Sequence, residues 1–349
     1  MTQPVRLLSL ATASPPHDLP QEQASDLAKA ILAPRFPGFE HMSPVFTTAG
    51  VRKRQLTMPI EWYLQPRNWP DRMAVYVEGA VDLFVTAAER ALAEAGLRGC
   101  DVDAIVTVSS TGIATPSLEA LAMGRLGFRS DAARVPVFGL GCAGGATGLA
   151  LAARLAKSEP GAVVLLVCVE LCSLAFRLDE PSKADIVATA LFGDGAAACV
   201  LRAGEAGFAE VAGLGEHTWT DTLDIMGWRI DPEGLGVIFA RSIPPFARKK
   251  LRPAMDQMLA SQGLGVPDID RFVCHPGGMK VIEALEGALD LGQGALDHER
   301  TVLADHGNMS APTVLFVLDR TRRVGMPRRS VLTALGPGFT ASTVTLLAA

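Results

Sequence analysis

The chain repeats itself, and this limits its fold more than any other feature does. The segment AGLRGCDVDAIVTVSS (Ala95 to Ser110) aligns without a gap on QGLGVPDIDRFVCHPG (Gln262 to Gly277). Gly96–Leu97 falls on Gly263–Leu264, and Asp101–Val102–Asp103 on Asp268–Ile269–Asp270, a displacement of 263 − 96 = 167 residues. Farther along, GCAGGATGLAL from Gly141 matches GNMSAPTVLFV from Gly307, at 307 − 141 = 166. Two separate matches in nearly one register mark a duplicated structural unit.

Each copy carries the same physical pattern. A helix ends at Gly-Leu, an Asp-x-Asp turn follows, and an apolar strand runs to a polar residue, over Ala104–Ser109 in one copy and Phe272–His275 in the other. A glycine-bearing turn then opens an amphipathic helix. The first helix is expected from about Cys142 to the terminator Lys157–Gly161, the second from about Asn308 to near Arg322–Gly325. Each copy closes with two β-rich segments, AVVLLVCVE and GAAACVL, then SVLTALG and ASTVTLL. Alternating strands and helices imply an α/β protein of two similar halves, residues 1–205 and 206–349, each a mixed sheet covered by helices. A chain of 349 residues that is 49% hydrophobic can bury cores of that size.

In this alignment Cys142 falls on Asn308, and Ser109 or Ser110 falls near His275. A pseudo-twofold packing of the halves brings these points together, so a shared site between them is expected. The stretch FGLGCAGGATG, Phe138 to Gly148, has two readings. Gly139, Gly141 and Gly144 spell G-x-G-x-x-G, the mark of a dinucleotide loop. Against that, the motif sits in mid-chain, Glu170 lies farther on than a ribose-binding acid should, and the second copy keeps the strand, turn and helix without the glycines.

The competing reading makes Cys142 a nucleophile. A thiol at the first turn of a helix faces unpaired N–H groups and the positive end of the dipole, which should lower its pKa. Gly144 and Gly145 would leave room for an acyl group and its oxyanion. His275, followed by Pro276–Gly277–Gly278, can polarise a carbonyl or pair with a thiolate. Asn308 can donate to an oxyanion without changing protonation state. Taken singly, each has a plain alternative: a packed cysteine, a hydrogen-bonded strand-end histidine, a helix N-cap. Together, at matched ends of a duplicated fold, they point to one site.

Composition narrows the partners. A net charge of −5 without a basic tail argues against nucleic acid. The basic clusters Arg52–Lys53–Arg54, Lys249–Lys250–Arg252 and Arg328–Arg329 read as solvated surface. No run is long enough for a membrane span, and MTQPVRLLSLATASPP lacks the features of a secretory leader, so a cytoplasmic location is expected. Six cysteines in such a chain make no disulfide framework, and the Cys168 and Cys172 spacing does not suit zinc. Cys168 and Cys199, inside apolar runs, are expected in the core.

Five motifs, GCAGG at Cys142, LFGDGAAA from Leu191, HPGG from His275, GNMSAP from Gly307 and LGPGFT from Leu335, together resemble the type III polyketide synthases, the chalcone-synthase-like family. The likeness runs through nearly the whole chain. It implies the thiolase-like fold, a duplicated αβαβα arrangement in five layers, and a homodimer. It implies that Cys142 carries the acyl chain while His275 and Asn308 hold the thioester carbonyl of malonyl-CoA as it decarboxylates. Phe192 becomes the gating ring between CoA tunnel and cavity, Phe239 a second aromatic there, and Gly277 and Gly338 part of the substrate-binding wall. The segment ending in Thr115 becomes the loop that crosses to the partner's cavity. Acyl-CoA and malonyl-CoA are then the substrates, and neither metal nor redox cofactor is called for.

The chain departs from the plant pattern in two places. The basic residues that grip CoA have no counterparts near residues 41 to 48, and Arg52 and Arg54 are the substitutes nearby. Ala175 and Thr115 stand where plant enzymes carry threonine and methionine, which implies a larger or longer cavity. The run Met226–Phe246 resembles bacterial members that make alkylpyrones or alkylresorcinols from long fatty acyl-CoA. Each buried methylene of such a starter contributes about 0.8 kcal/mol. A single-round ketoacyl-carrier-protein synthase and a non-catalytic acyl-CoA binder are the alternatives.

Overall fold

The computed structural model describes residues 3–178, 181–232 and 234–349. The first half contributes strands β1 (Val5–Ala13), β2 (His17–Pro20), β3 (Lys53–Leu56), β4 (Ala104–Val108), β5 (Ala133–Val137), β6 (Val164–Leu171) and β7 (Asp194–Ala203). The second contributes β8 (Ala209–Thr218), β9 (Met226–Asp231), β10 (Gly234–Phe239), β11 (Arg271–Cys274), β12 (Arg329–Gly336) and β13 (Thr340–Ala348).

The strand order makes the duplication visible. Read outward from the middle, one half runs β1, β7, β6, β4 and the other β8, β13, β12, β11, and β5 extends the first half alone. In both, the pairings are antiparallel, antiparallel, then parallel. The two sheets abut along β1 and β8, where Arg6 pairs with Glu210 and Leu7 with Ala209, so the ladder runs through nine strands. The two-stranded sheets β2–β3 and β9–β10 stand apart from it.

Five layers follow from which face each residue buries. Along β6, Val164, Leu166 and Cys168 pack inward with Ala146, Leu149 and Ala153 of the helix Gly144–Ser158. The alternate residues Leu165, Val167 and Val169 pack outward with the helix Trp69–Glu94. Both faces are covered, so the strand reads as one continuous apolar run and not as an alternation. The helices Gly144–Ser158 and Thr313–Val324 touch each other and both sheets, forming the middle layer. Helices Ile243–Ala260 and Met279–Leu289 cover the far side. Among the described residues no helix is long and apolar enough to cross a membrane.

Two expectations change here. Gly144 and Gly145 do not clear space for an acyl group: a Cβ on Gly145 would lie 2.3 Å from the Ala311 carbonyl oxygen, and one on Gly144 would lie 2.7 Å from Val108. They let the middle helix press against the second half. The second middle helix begins at Thr313 instead of Asn308, because Asn308 is drawn into backbone pairing with another segment.

Candidate active site

Cys142 sits in a 3-10 turn, Gly141–Ala143, directly before the helix Gly144–Ser158. His275 follows the last residue of β11, its N–H donating to Thr333 O at 2.9 Å. Asn308 is completely buried in the GNMSAP turn. All three line one cavity, together with Met226, Phe239 and Gly277. The Cys142 Sγ lies 4.0 Å from Asn308 Oδ1, so the two aligned positions of the repeat meet. Asn308 is held on both sides: Oδ1 accepts from the Ser310 N–H at 2.8 Å, and Nδ2 donates to Gly277 O at 3.3 Å.

Burial dominates the titration of this cluster. The thiol of Cys142 is pushed up to about 11, chiefly by loss of water, although its hydrogen bonding with Ser310 and Asn308 works the other way. This reverses the expected lowering. A helix terminus contributes about 0.3–2 kcal/mol, whereas full burial can move a group by as much as about 3–5 pKa units at about 1.36 kcal/mol each. Desolvation wins. The same cause takes His275 down to about 3, and among the described residues neither ring nitrogen has a hydrogen-bond partner. Near neutral pH the site therefore holds a neutral thiol and a neutral imidazole.

Further residues belong to the site. Ser310, with φ of 57°, lines a second cavity together with Cys142, Cys172, Phe192 and Trp228. Its strained backbone was invisible in the sequence. Glu170, at the end of β6, is fully buried, and its Oε2 accepts from the Ser110 N–H at 2.9 Å and from the Thr111 hydroxyl at 2.8 Å. Burial raises its carboxyl to about 7. A lone acid ending an apolar run was the signal available for it.

The other predicted positions divide. Phe192 lines both the second cavity and a third, mostly apolar one, and its ring packs edge-on to Trp228 with centroids 6.5 Å apart. Phe239 lines both cavities at Cys142, and Ala175 lines the third. Gly277 lies on the wall beside His275. Gly338 does not: it turns the chain between β12 and β13 with φ of 106°, and Pro337 is the residue that reaches the cavity. Thr115 lies on an exposed turn outside these cavities. Arg52 is exposed and paired with Asp305. Arg54 is neither solvated surface nor open to a CoA phosphate, being only 2% exposed with its Nη1 donating to Thr189 O. Its Cβ lies close to Gly193 and Gly307, where an added Cβ would come within 3.1 and 3.5 Å of it.

A duplicated α/β core with a cysteine, a histidine and an asparagine converging on one buried cavity defines a thiolase-fold condensing enzyme. The model for the N-terminal domain of chalcone and stilbene synthases matches residues 3–205, and that for the C-terminal domain matches residues 219–348. The chain belongs to that family, the type III polyketide synthases, acyltransferases that catalyse decarboxylative condensation. It is 41% identical over 345 residues to a 1,3,6,8-tetrahydroxynaphthalene synthase of Streptomyces peucetius subsp. caesius, spanning 96% of this chain and 91% of that protein. It is 30% identical over 352 residues to an alpha-pyrone synthesis polyketide synthase-like Pks18 of Mycobacterium tuberculosis, spanning 95% and 88%. The crystal structure of the 1,3,6,8-tetrahydroxynaphthalene synthase of Streptomyces coelicolor A3(2) superposes with a TM-score of 0.93 at 28% identity, covering 98% of this chain and 99% of that one.

Proposed function

We propose that Cys142, His275 and Asn308 perform the condensation, with Cys142 holding an acyl starter taken from a long-chain acyl-CoA. The observation that carries this is their convergence on one buried cavity, with 4.0 Å between Cys142 Sγ and Asn308 Oδ1. In the first step His275 takes the thiol proton, and the thiolate attacks the thioester carbonyl. CoA leaves as its thiol with that proton, and the acyl–Cys142 bond remains. The pair is neutral at rest, and the two charges made by proton transfer stabilise one another in a site with little water.

Malonyl-CoA follows. Its carboxylate departs as carbon dioxide, leaving an enolate whose oxygen accepts from His275 and from the second Nδ2–H of Asn308. The enolate carbon then attacks the Cys142 thioester carbonyl, the S–acyl bond breaks with Cys142 leaving as a thiolate, and the chain, longer by two carbons, stays on CoA as a β-ketoacyl thioester. No metal or redox cofactor enters the scheme. Arg52, with a side chain 72% exposed, is the remaining nearby candidate for a CoA phosphate contact.

A long starter is supported by the third cavity. Cys172 and Phe192 line both it and the cavity at Cys142, so an acyl chain has apolar space beyond the aromatic ring. Likeness to the alpha-pyrone enzyme supports a pyrone or resorcinol product. The 41% identity to a tetrahydroxynaphthalene synthase favours a second reading, a fused aromatic product from the same cysteine. A homodimer is part of the proposal: β5 is a sheet edge, and beside it Phe138 and Ile113 are 58% and 56% exposed. A cytoplasmic location is too, since it supplies CoA thioesters and keeps the free thiols reduced.

Intact-protein mass spectrometry after incubation with long-chain acyl-CoA tests the assignment. One acyl adduct should form and should vanish in Cys142→Ala; an adduct that survives the substitution removes Cys142 from the role.

A further inference from the structure

One carboxylate joins the two segments that carry His275 and Asn308. Glu299 lies in the helix Asp297–His306 and is completely buried. Its Oε1 accepts from the Cys274 N–H at 2.9 Å, and its Oε2 accepts from Arg271 Nη2 at 2.6 Å. Arg271 and Cys274 are the first and last residues of β11, so a single side chain spans the strand. Arg271 Nη1 also donates to Ala295 O, just ahead of the same helix.

The position of β11 explains why it needs such a partner. It ends the nine-stranded sheet, with β12 on one side of it. The His275 N–H points to β12, where it meets Thr333 O, and by alternation the Cys274 N–H points the other way. Glu299 receives that outward group, one residue before His275. In the other direction its helix closes at His306 and passes through Gly307 into Asn308, 308 − 299 = 9 residues on. Only about 10 Å of helix, at about 1.5 Å per residue, lies between the carboxylate and that turn. The direct tie between the segments, from Asn308 Nδ2 to Gly277 O, is 3.3 Å long and joins neutral groups. Hydrogen bonds to an ionised group are roughly twice as strong, so Glu299 is the stronger link.

We propose that Glu299 is a positioning residue for the condensation: its carboxylate fixes the separation of His275 and Asn308 at which both donate to one enolate oxygen. This rests on the roles given to His275 and Asn308 above. Glu299 itself touches no reacting atom and acts through the strand end and the helix end.

Malonyl-CoA decarboxylation, followed at pH 8, tests this; that pH lies above the value of about 7 to which burial raises the Glu299 carboxyl. Glu299→Ala should lower kcat by about tenfold or more while KM for malonyl-CoA stays within about twofold of the wild type. Added to Asn308→Ala, it should cost less than about threefold further, because no separation is left to hold; the full loss repeated in that background marks general damage and overturns the inference. Glu299→Gln keeps an acceptor for the Cys274 N–H, whereas Glu299→Asp keeps the charge but is one methylene too short to span the strand. The Gln variant should therefore be the more active. Equal rates, or the reverse order, would make Glu299 a counter-ion to Arg271 and nothing more, and that comparison decides the matter even if Glu299→Ala does not fold. Wild-type decarboxylation in Asn308→Ala removes the role given to Asn308, and this inference with it. A loss in Asn308→Ala beside an unchanged kcat in Glu299→Ala removes this inference alone.

Discussion

Phe192 and Asn308 are joined backbone to backbone. The Asn308 N–H donates to Leu191 O at 2.8 Å and the Gly193 N–H donates to Asn308 O at 3.1 Å, an isolated parallel bridge between LFGDG and GNMSAP. The ring that lines two cavities and the carboxamide beside the nucleophile are therefore tied together through the main chain.

Gly193 is the weak point of that bridge. A Cβ there would lie 2.3 Å from the His306 carbonyl oxygen, so Gly193→Ala must push the two segments apart. Overpacking of this kind costs about 1–3 kcal/mol. Malonyl-CoA decarboxylation should fall by about tenfold or more, and alkylation of Cys142 should fall less. A variant that melts lower yet decarboxylates at the wild-type rate would show that Asn308 is positioned by something else.

The resting thiol should be sluggish. With Cys142 raised to about 11 by burial, the rate of alkylation by a small uncharged reagent should climb through the alkaline range without levelling off near neutrality. An inflection below pH 7 in the unliganded protein would mean that a thiolate is already present.

Glu170 sets a pH dependence of stability. Its carboxyl is raised from 4.5 to about 7, so its stabilising contribution is complete below pH 4.5 and is lost as pH rises through about 7. Glu170→Gln removes that loss. From pH 4.5 to 8 the variant should gain on the wild type by up to about 3 kcal/mol in denaturant titrations. His275, lowered from 6.5 to about 3, acts in the opposite sense, with stability lost as pH falls below 6.5. The difference between variant and wild type is therefore the useful curve, and a flat difference contradicts the buried-carboxylate account.

Phe138→Glu tests the dimer. A charge on this exposed side chain beside the edge strand should shift the sedimentation profile from dimer to monomer while the far-ultraviolet spectrum stays unchanged. An unaltered dimer would place the interface elsewhere.

The duplication was readable because both copies keep the same order of turn, strand, glycine and helix. That order reappears as the mirrored strand sequences on either side of the β1–β8 junction. The displacement of 166 residues that aligned Cys142 with Asn308 is also the separation of the two residues that meet in space. Three features were hidden because they depend on distant parts of the chain. Arg54 sits in a run of three basic residues, and its burial and its bond to the distant Thr189 carbonyl show that it faces inward. The thiol's pKa is set by surroundings gathered from both halves, and local helix position predicts it with the wrong sign. The conformation of Ser310, in which an L-residue takes φ of 57°, left no trace in composition.

The meeting of Cys142 and Asn308 has a consequence for descent. Had each copy been a free molecule paired with its twin, the two places nearest the axis would have been occupied by the same kind of side chain, sulfur against sulfur or amide against amide. Joining both copies in one polypeptide releases that constraint, so one place can specialise in bonding to the cargo and the other in steadying negative charge. Asymmetry of chemistry is what the covalent link between the halves permits.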